Sequence, residues 1–78
     1  MITVQIHFHG AIDRRGMAQD HRVSCPPQTT VEALLRQLGY SERQLLSIVP
    51  FMAGKRVSMG QELCDGDAID VLAPAENG

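Results

Sequence analysis

Cysteine is scarce in this sequence, and its scarcity excludes two classes of protein. The 78-residue chain has 2 cysteines, Cys25 and Cys64, which lie far apart and not in the spacing of metal ligands. A ferredoxin-type cluster needs about four cysteines, so the sequence excludes one. A single pair is also too small for the disulfide framework of a secreted protein, and we expect both residues to be reduced thiols.

An excess of positive charge is missing as well. The formal net charge is -2, with 7 Lys and Arg against 9 Asp and Glu, which gives no electrostatic basis for binding a phosphate backbone. The cationic pairs Arg14-Arg15 and Lys55-Arg56 are typical of solvated loops. Because the sequence has neither a long apolar run nor a signal peptide before its first strand, we expect a cytoplasmic protein without nucleic-acid or membrane partners.

The chain is short and has an ordinary globular composition, with 44% hydrophobic residues. Its length predicts a single domain, residues 1–78, near the lower limit for a core without metal or disulfide support. We do not expect an enzyme, because a core this small offers no pocket in which acid, base and nucleophile converge. Nothing in the sequence calls for a cofactor.

The first 25 residues predict two strands. In "ITVQIHFH", polar residues alternate with four apolar ones, the pattern of a half-buried strand: Ile2, Val4, Ile6 and Phe8. Residues 10–20 contain two glycines and mixed charge, which predicts a loop. The stretch "HRVSC", residues 21–25, predicts a second strand that ends at Pro26-Pro27 and pairs antiparallel with the first.

The next segment predicts one main helix over about residues 30–38. Thr29 followed by Glu32 predicts a capping box at the start of the helix. Gly39 is expected to be the residue just beyond the helix end. One helix face is apolar at i, i+3, i+4 and i+7 through Val31, Leu34, Leu35 and Leu38. A second pair, Ser41 with Gln44, predicts a short turn or helix carrying Leu45 and Leu46.

The remaining residues predict three more strands. "SIVPFMAGKRV" reads as two strands around an Ala53-Gly54 turn, with Pro50 marking a position that lacks one hydrogen-bond donor. A tight Asp65-Gly66-Asp67 turn leads into a last strand over residues 68–73. This order predicts an α+β protein of the β-grasp type, with one main helix packed on one face of a mixed sheet. The first and last strands should lie parallel at the sheet centre, paired near Val4 and Val71.

Three histidines are the only candidate metal ligands. His7 and His9 share one strand face and His21 begins the expected partner strand, so the three imidazoles could approach one another. No carboxylate or thiol is placed obviously to complete a site, and exposed strand histidines usually just face solvent. We therefore predict no metal site.

Apolar residues on the solvent side of the sheet are the better indication of function. If Ile48, Pro50 and Met52 face the helix, Val49 and Phe51 face outward, and on the last strand Leu72 faces outward beside Asp70. A shared apolar patch of this kind often marks a partner surface. The alternative is the inverted register, made plausible by a bulge at Pro50, which would bury Val49 and Phe51.

Several of these stretches resemble the MoaD/ThiS family of ubiquitin-like sulfur carriers. They are "TTVEALLRQLG", "MAGKRV" and "LCDGDAIDVLAPAENG", and the resemblance covers nearly the whole chain. Leu63, Asp65, Gly66, Asp67 and Ile69 match the family turn, Pro74 matches its proline, and Gly78 falls on its final glycine. Asn77 stands where the family has the other glycine of its terminal pair.

The resemblance implies that an adenylating enzyme activates the C-terminal carboxylate of Gly78, and that sulfur then displaces AMP to leave a thiocarboxylate. It implies a carrier for cofactor synthesis, with molybdopterin ahead of thiamine, and a synthase subunit that accepts the sulfur. Residues 74–78 would form a flexible tail, and the partner surface would comprise Val49, Phe51, Leu72 and Pro74. Because Asn77 departs from the family pattern, the alternative is a ubiquitin-like interaction module that has lost carrier chemistry.

Overall fold

A computed structural model describes residues 1–10 and 16–73 of the chain. In chain order the elements are β1 (Ile2–Gly10), β2 (Asp20–Cys25), α1 (Val31–Gln37), α2 (Glu42–Leu45), β3 (Val49–Met52), β4 (Lys55–Arg56) and β5 (Ala68–Ala73). The predicted elements are therefore all present, with bounds shifted by one or two residues.

The strands form one mixed sheet in the order β2-β1-β5-β3-β4. β1 and β5 run parallel at its centre, and the other neighbouring pairs are antiparallel. This arrangement confirms the predicted α+β, β-grasp architecture. The predicted register is wrong by four residues, because Val71 lies opposite Phe8 while Val4 pairs with Val23 on β2. Strand periodicity fixes which face a residue occupies, but it does not fix the offset between two strands.

The core lies between one face of the sheet and α1. From β1 it takes the alternating set Val4, Ile6 and Phe8, and from α1 it takes Val31, Leu34 and Leu35, all at most 2% exposed. No polar or charged residue among the described ones is buried. The driving force is therefore burial of apolar surface, at about 25 cal/mol per Å² removed from water.

The start of α1 differs from the prediction. Thr30, not Thr29, is the N-cap, since its hydroxyl oxygen accepts a hydrogen bond from the backbone N–H of Ala33 at 3.2 Å. The backbone of Thr29 pairs with the loop after β4 instead, because its carbonyl accepts a hydrogen bond from Leu63 N–H at 2.9 Å. The predicted capping box with Glu32 is thus wrong by one residue, for a tertiary reason that local sequence does not contain.

A loop after β4 seals the same end of the helix. The N–H groups of Val31 and Glu32, which have no acceptor within the helix, donate to the carbonyls of Gln61 at 3.0 Å and Met59 at 2.9 Å. Together with the Thr30 cap, these bonds satisfy the first helical donors inside the protein. This end of the helix is consequently not available to an outside anion.

The other helix ends follow the sequence. Gly39 has φ +100° and donates to Arg36 at 3.0 Å, while Tyr40 donates to Leu35 at 3.1 Å, the bond pair of a Schellman motif. The Ser41-Gln44 capping box that opens α2 is present in both directions. The chain thereby leaves α1 at a fixed angle and places α2 directly before β3.

The Asp65-Gly66-Asp67 turn anchors the two central strands to each other. Asp65 Oδ1 accepts from Thr3 N–H at 2.8 Å, Gly66 N–H donates to the Thr3 carbonyl at 2.8 Å, and Asp67 Oδ2 accepts from Cys64 N–H at 2.8 Å. Gly66 has φ +88°, a conformation that suits glycine. The carboxylates of this motif therefore have a structural use, which is to hold β5 in register with β1.

Candidate functional site

The face of the sheet that points away from α1 is the candidate site, and we call it the open face. Strand pairing arranges its side chains in rows across the sheet. One row comprises Asp20, His7, Asp70, Phe51 and Arg56, and the next comprises His9, Leu72 and Val49. Residues from all five strands are brought together in this way.

Val49, Phe51 and Leu72 form an apolar group at the centre of the open face, which we call the open-face patch. Val49 lies directly opposite Leu72, and Phe51 lies opposite Asp70 on the same strand pair. All three are partly exposed, whereas the intervening Pro50 is buried. The predicted outward orientation of Val49, Phe51 and Leu72 is therefore present, and the inverted register is not.

Pro50 causes no bulge between β3 and β5. Its carbonyl accepts from Val57 N–H at 3.1 Å, on the side of the strand that faces β4. In antiparallel strands the N–H and C=O of one residue point to the same side, so the donor that proline lacks is missing only from the β4 side. The β3–β5 pairing that supports the open-face patch is left intact.

Two histidine–aspartate pairs border the open-face patch. His9 Nε2 lies 2.9 Å from Asp70 Oδ1, and His7 Nδ1 contacts Asp20 Oδ1. The side chains are 30% to 64% exposed, so each pair is accessible and contributes little to stability. With Arg56 next to Phe51, the apolar centre has carboxylates and imidazoles on one side and a guanidinium on the other.

These pairs are what the sequence reasoning missed. Asp70 is assigned to the outward side of the last strand by alternation, but its contact with His9 depends on the parallel offset of β1 and β5. The three imidazoles do not come together, because His21 pairs with Ile6 and so lies on the core side of the sheet. Among the described residues no group of three or more His, Cys, Asp or Glu could hold a metal ion.

Gly10 lies where β5 ends and the last five residues begin. It pairs with Ala73 and has φ +72°, and a Cβ added there would be 3.0 Å from Leu72 Cδ1 and 3.3 Å from the Ala73 carbonyl oxygen. Glycine is thus required by both backbone conformation and close approach. The end of β5 at Ala73 is held tightly against β1, next to the open-face patch.

The remaining predicted site residues, Pro74, Asn77 and Gly78, lie outside the described residues, as does the whole predicted tail 74–78. Both cysteines are free, with Cys25 buried and Cys64 exposed.

A second concave region, a polar groove of about 440 Å³, lies between β1, β2 and the Asp65-Gly66-Asp67 turn. Its carboxylates already accept backbone hydrogen bonds, so it offers no free acid or base. No described helix is both long enough and apolar enough to cross a bilayer.

Comparison with solved structures places this geometry among ubiquitin-like proteins. A protein described as molybdopterin converting factor subunit 1, from Pyrococcus furiosus, has a TM-score of 0.74 at 16% identity, over 96% of this chain and 100% of the other. Small archaeal modifier protein 1 from Haloferax volcanii has a TM-score of 0.74 at 15% identity, over 96% of this chain and 100% of the other. A ubiquitin from Caldiarchaeum subterraneum has a TM-score of 0.66 at 14% identity, over 99% of this chain and 98% of the other.

These neighbours share the whole fold, because almost all of each chain is covered. No protein-family model matches the sequence, and no curated protein matches it either. At such identities the likeness establishes the ubiquitin-like β-grasp fold. The predicted resemblance to ubiquitin-like sulfur carriers is confirmed at that level.

Proposed function

We propose that this ubiquitin-like chain is a cytoplasmic sulfur carrier for cofactor biosynthesis, with molybdopterin ahead of thiamine. Its partners are an adenylating enzyme and a synthase subunit that accepts the sulfur. The chain is the reagent that is modified, and the enzymes act on it. Two free thiols suit a reducing compartment.

The observation that carries the proposal is the position of the open-face patch relative to the C-terminal segment. Leu72 belongs to the patch and stands two residues before Pro74, where the segment begins. A partner that covers the patch therefore also contacts the end of β5, directly before residue 74. The likeness to a protein described as molybdopterin converting factor subunit 1, over 96% of this chain and 100% of the other, supports the same assignment.

The proposed chemistry takes place on the Gly78 carboxylate. A carboxylate oxygen attacks the α-phosphorus of ATP and pyrophosphate leaves. A sulfide equivalent, delivered by the sulfur donor, then attacks the carbonyl carbon, and AMP leaves with the original oxygen. One oxygen of the terminal carboxylate is thereby exchanged for sulfur. Glycine suits this position because it has no Cβ to obstruct a narrow channel.

Intact-mass measurement tests this step. We expect incubation with the adenylating enzyme of the same genome, ATP and a sulfur donor to raise the mass by one sulfur minus one oxygen. Deleting Gly78 should abolish the change. A chain that stays unmodified under these conditions, even as Asn77→Gly, would contradict the carrier proposal.

Asn77→Gly also measures the effect of the departure from the family pattern. Asparagine tolerates positive φ better than most residues, but its amide side chain must fit a channel that suits two glycines elsewhere. We expect faster adenylation of the variant, measured as ATP-dependent pyrophosphate release. Equal rates would mean that the natural partner accommodates the asparagine.

The open-face patch is tested separately by Phe51→Asp. Placing a carboxylate in the patch, beside Asp70, should weaken the complex with the adenylating enzyme by about 2 kcal/mol or more if Phe51 is a hot spot. Ala33→Asp is the matched control, since Ala33 is exposed on α1, on the other side of the sheet. Equal affinity of the two variants by calorimetry would remove the patch from the interface.

The second candidate is a ubiquitin-like interaction module without carrier chemistry. Asn77 favours it, because this residue occupies a position that the resemblance assigns to glycine. Two of the structural neighbours are described as a modifier and a ubiquitin, which fits a protein whose surface is its function. Partner binding that depends on Phe51, without any mass change at Gly78, would establish this candidate.

A further inference from the structure

The sheet ends at β2, which pairs with β1 on one side and with no described strand on the other. The hydrogen bond from Phe8 N–H to the Gln19 carbonyl, at 2.8 Å, fixes which residues of the second segment face β1. In antiparallel strands these residues alternate with ones whose N–H and C=O both point away. The backbone groups of Asp20, Arg22 and Ser24 therefore point to the outside of the sheet.

The helix α1 closes one end of this outer side. Gln37 Nε2 donates to the Ser24 carbonyl at 3.0 Å, which shows independently that Ser24 points outward and occupies its acceptor. The N–H and C=O groups of Asp20 and Arg22 have no partner in residues 1–10 or 16–73. We call the outward backbone and the side chains of these two residues the β2 edge. Unpaired groups of this kind are a template for an added strand.

The side chains of the β2 edge are of opposite charge. Asp20 and Arg22 lie opposite His7 and Gln5 of β1, so both project from the open face. Both are exposed, and no carboxylate of the described residues is within salt-bridge distance of Arg22. Charges on an edge strand usually discourage pairing with another chain. Opposite charges two residues apart differ, because an antiparallel second copy can place each charge opposite its complement.

The charges select one alignment of two β2 edges. Outward backbone groups can bond only to outward backbone groups, so the possible alignments differ by steps of two in the sum of paired residue numbers. One of them places Asp20 opposite Asp20, and another places Arg22 opposite Arg22. The alignment centred on His21 instead places Asp20 of each copy opposite Arg22 of the other. A further shift would require the Ser24 carbonyl, which is already occupied.

We propose that the β2 edge is a twofold homodimer interface, with His21 of both copies on the axis. Four backbone hydrogen bonds and two Asp20–Arg22 ion pairs then join the two sheets into one. A twofold interface uses the same surface twice, and the β2 edge is complementary to itself in both backbone and charge. Because the edge is short, we expect a weak dimer of the kind formed by small interfaces.

This interface leaves the open-face patch accessible. The strand β1 separates β2 from β5 and β3, which carry the patch, so the joined sheet presents two patches. Both patches lie on the same face, since the twofold axis is perpendicular to the sheet. The inference goes beyond the proposed carrier function and does not depend on it.

Sedimentation equilibrium of the full chain, from micromolar to millimolar concentration, measures the self-association. We expect the average mass to rise toward that of a dimer. Arg22→Asp and Asp20→Arg should each raise the dissociation constant at least about tenfold, because two attractions become two repulsions. The double variant should restore association, since the pair is re-formed with opposite polarity. Lys55→Asp, an equal charge reversal on the other edge strand, is the matched control and should have no effect.

Disulfide cross-linking identifies the alignment. The exposed Cys64 is first removed as Cys64→Ser, and single cysteines are then introduced along β2. We expect His21→Cys to give a linked dimer on mild oxidation, because a residue on the axis faces its own copy. That pair is not hydrogen-bonded, and its Cα separation of about 4.5 Å suits a disulfide. Asp20→Cys and Arg22→Cys should link far less, since neither residue faces itself.

Several outcomes would overturn the proposal. A chain that stays monomeric at millimolar concentration would do so, and would leave the β2 edge to a strand of another protein. Failure of the double variant to recover association, or preferential cross-linking at residue 20 or 22, would do so as well. In NMR spectra the amides of Asp20 and Arg22 should exchange more slowly with solvent as concentration rises. Concentration-dependent changes confined to the open-face patch would place the contact elsewhere and contradict the proposal.

Discussion

At the scale of the residue, Gly10 combines a positive φ with close contacts around the position of an added Cβ. Its φ of +72° is unfavourable for any other residue, and the Leu72 side chain and the Ala73 carbonyl occupy the space that a Cβ would need. The carbonyl is part of the backbone and cannot rotate away without disturbing β5. Gly10 therefore controls how closely the end of β5 approaches β1, and with it the position of Leu72 in the open-face patch.

Gly10→Ala should lower the free energy of unfolding by about 2–3 kcal/mol, the sum of backbone strain and the close contact. Gly54→Ala is the matched control, because Gly54 has φ +77° but nothing within 4 Å of the added Cβ. We expect this change to lower the free energy of unfolding by about 1–2 kcal/mol, from backbone strain alone. Urea unfolding of both variants measures the difference, and equal losses would show that the contact with Leu72 and Ala73 is relieved without cost.

At the scale of the element, the start of α1 shows how tertiary contacts select among local signals. Two adjacent threonines can each act as a cap, and the sequence favours Thr29 because Glu32 stands three residues later. In the structure the loop after β4 pairs with the Thr29 carbonyl and with the first helical N–H groups, which moves the cap to Thr30. The loop and the helix thus form one unit.

Thr30→Ala should lower the free energy of unfolding by about 1 kcal/mol, the usual effect of removing an N-cap hydroxyl. Thr30→Ser keeps the oxygen that accepts from Ala33 and should retain most of the stability. Chemical denaturation of the two variants checks the expectation. If alanine and serine behaved alike at position 30, the cap would not depend on this hydroxyl, and Thr29 would again be the candidate.

At the scale of the whole molecule, stability should be graded across the sheet. β1 and β5 each have a strand on both sides, whereas β4 has two residues and a free edge. A domain of 78 residues has a global stability of about 4–12 kcal/mol. We expect amides of Ile6 and Val71 to exchange with solvent only through global unfolding, while that of Lys55 exchanges through local opening.

Native-state hydrogen exchange in increasing denaturant separates the two processes. The free energy of opening at Ile6 and Val71 should equal that of global unfolding and fall with the same slope. Comparable protection at Lys55 would mean that the β3–β4 hairpin opens only together with the central strands. The cooperative unit would then be the whole sheet.

Much of the fold could be predicted because its signals are local. Alternation of Val4, Ile6 and Phe8 assigns a strand and its buried face, and Leu34 and Leu35 assign the core-facing side of the helix. Gly39 marks the helix end, since only a residue that tolerates positive φ can close it in this way. Each of these signals depends on backbone conformation and burial within a few residues, and tertiary contacts do not override them.

The candidate site was only partly predictable, because its residues meet across strands. The outward side of Leu72 follows from alternation, but alternation left two registers open for Phe51, and the structure decides between them. The pairing of His9 with Asp70 and the tight approach of Gly10 to Leu72 depend on the parallel offset between β1 and β5. The sequence alone determined the elements, their order and which side chains β1, α1 and β5 bury. The tertiary structure decided which exposed groups become neighbours, because strand periodicity is two residues and is satisfied equally well by several offsets.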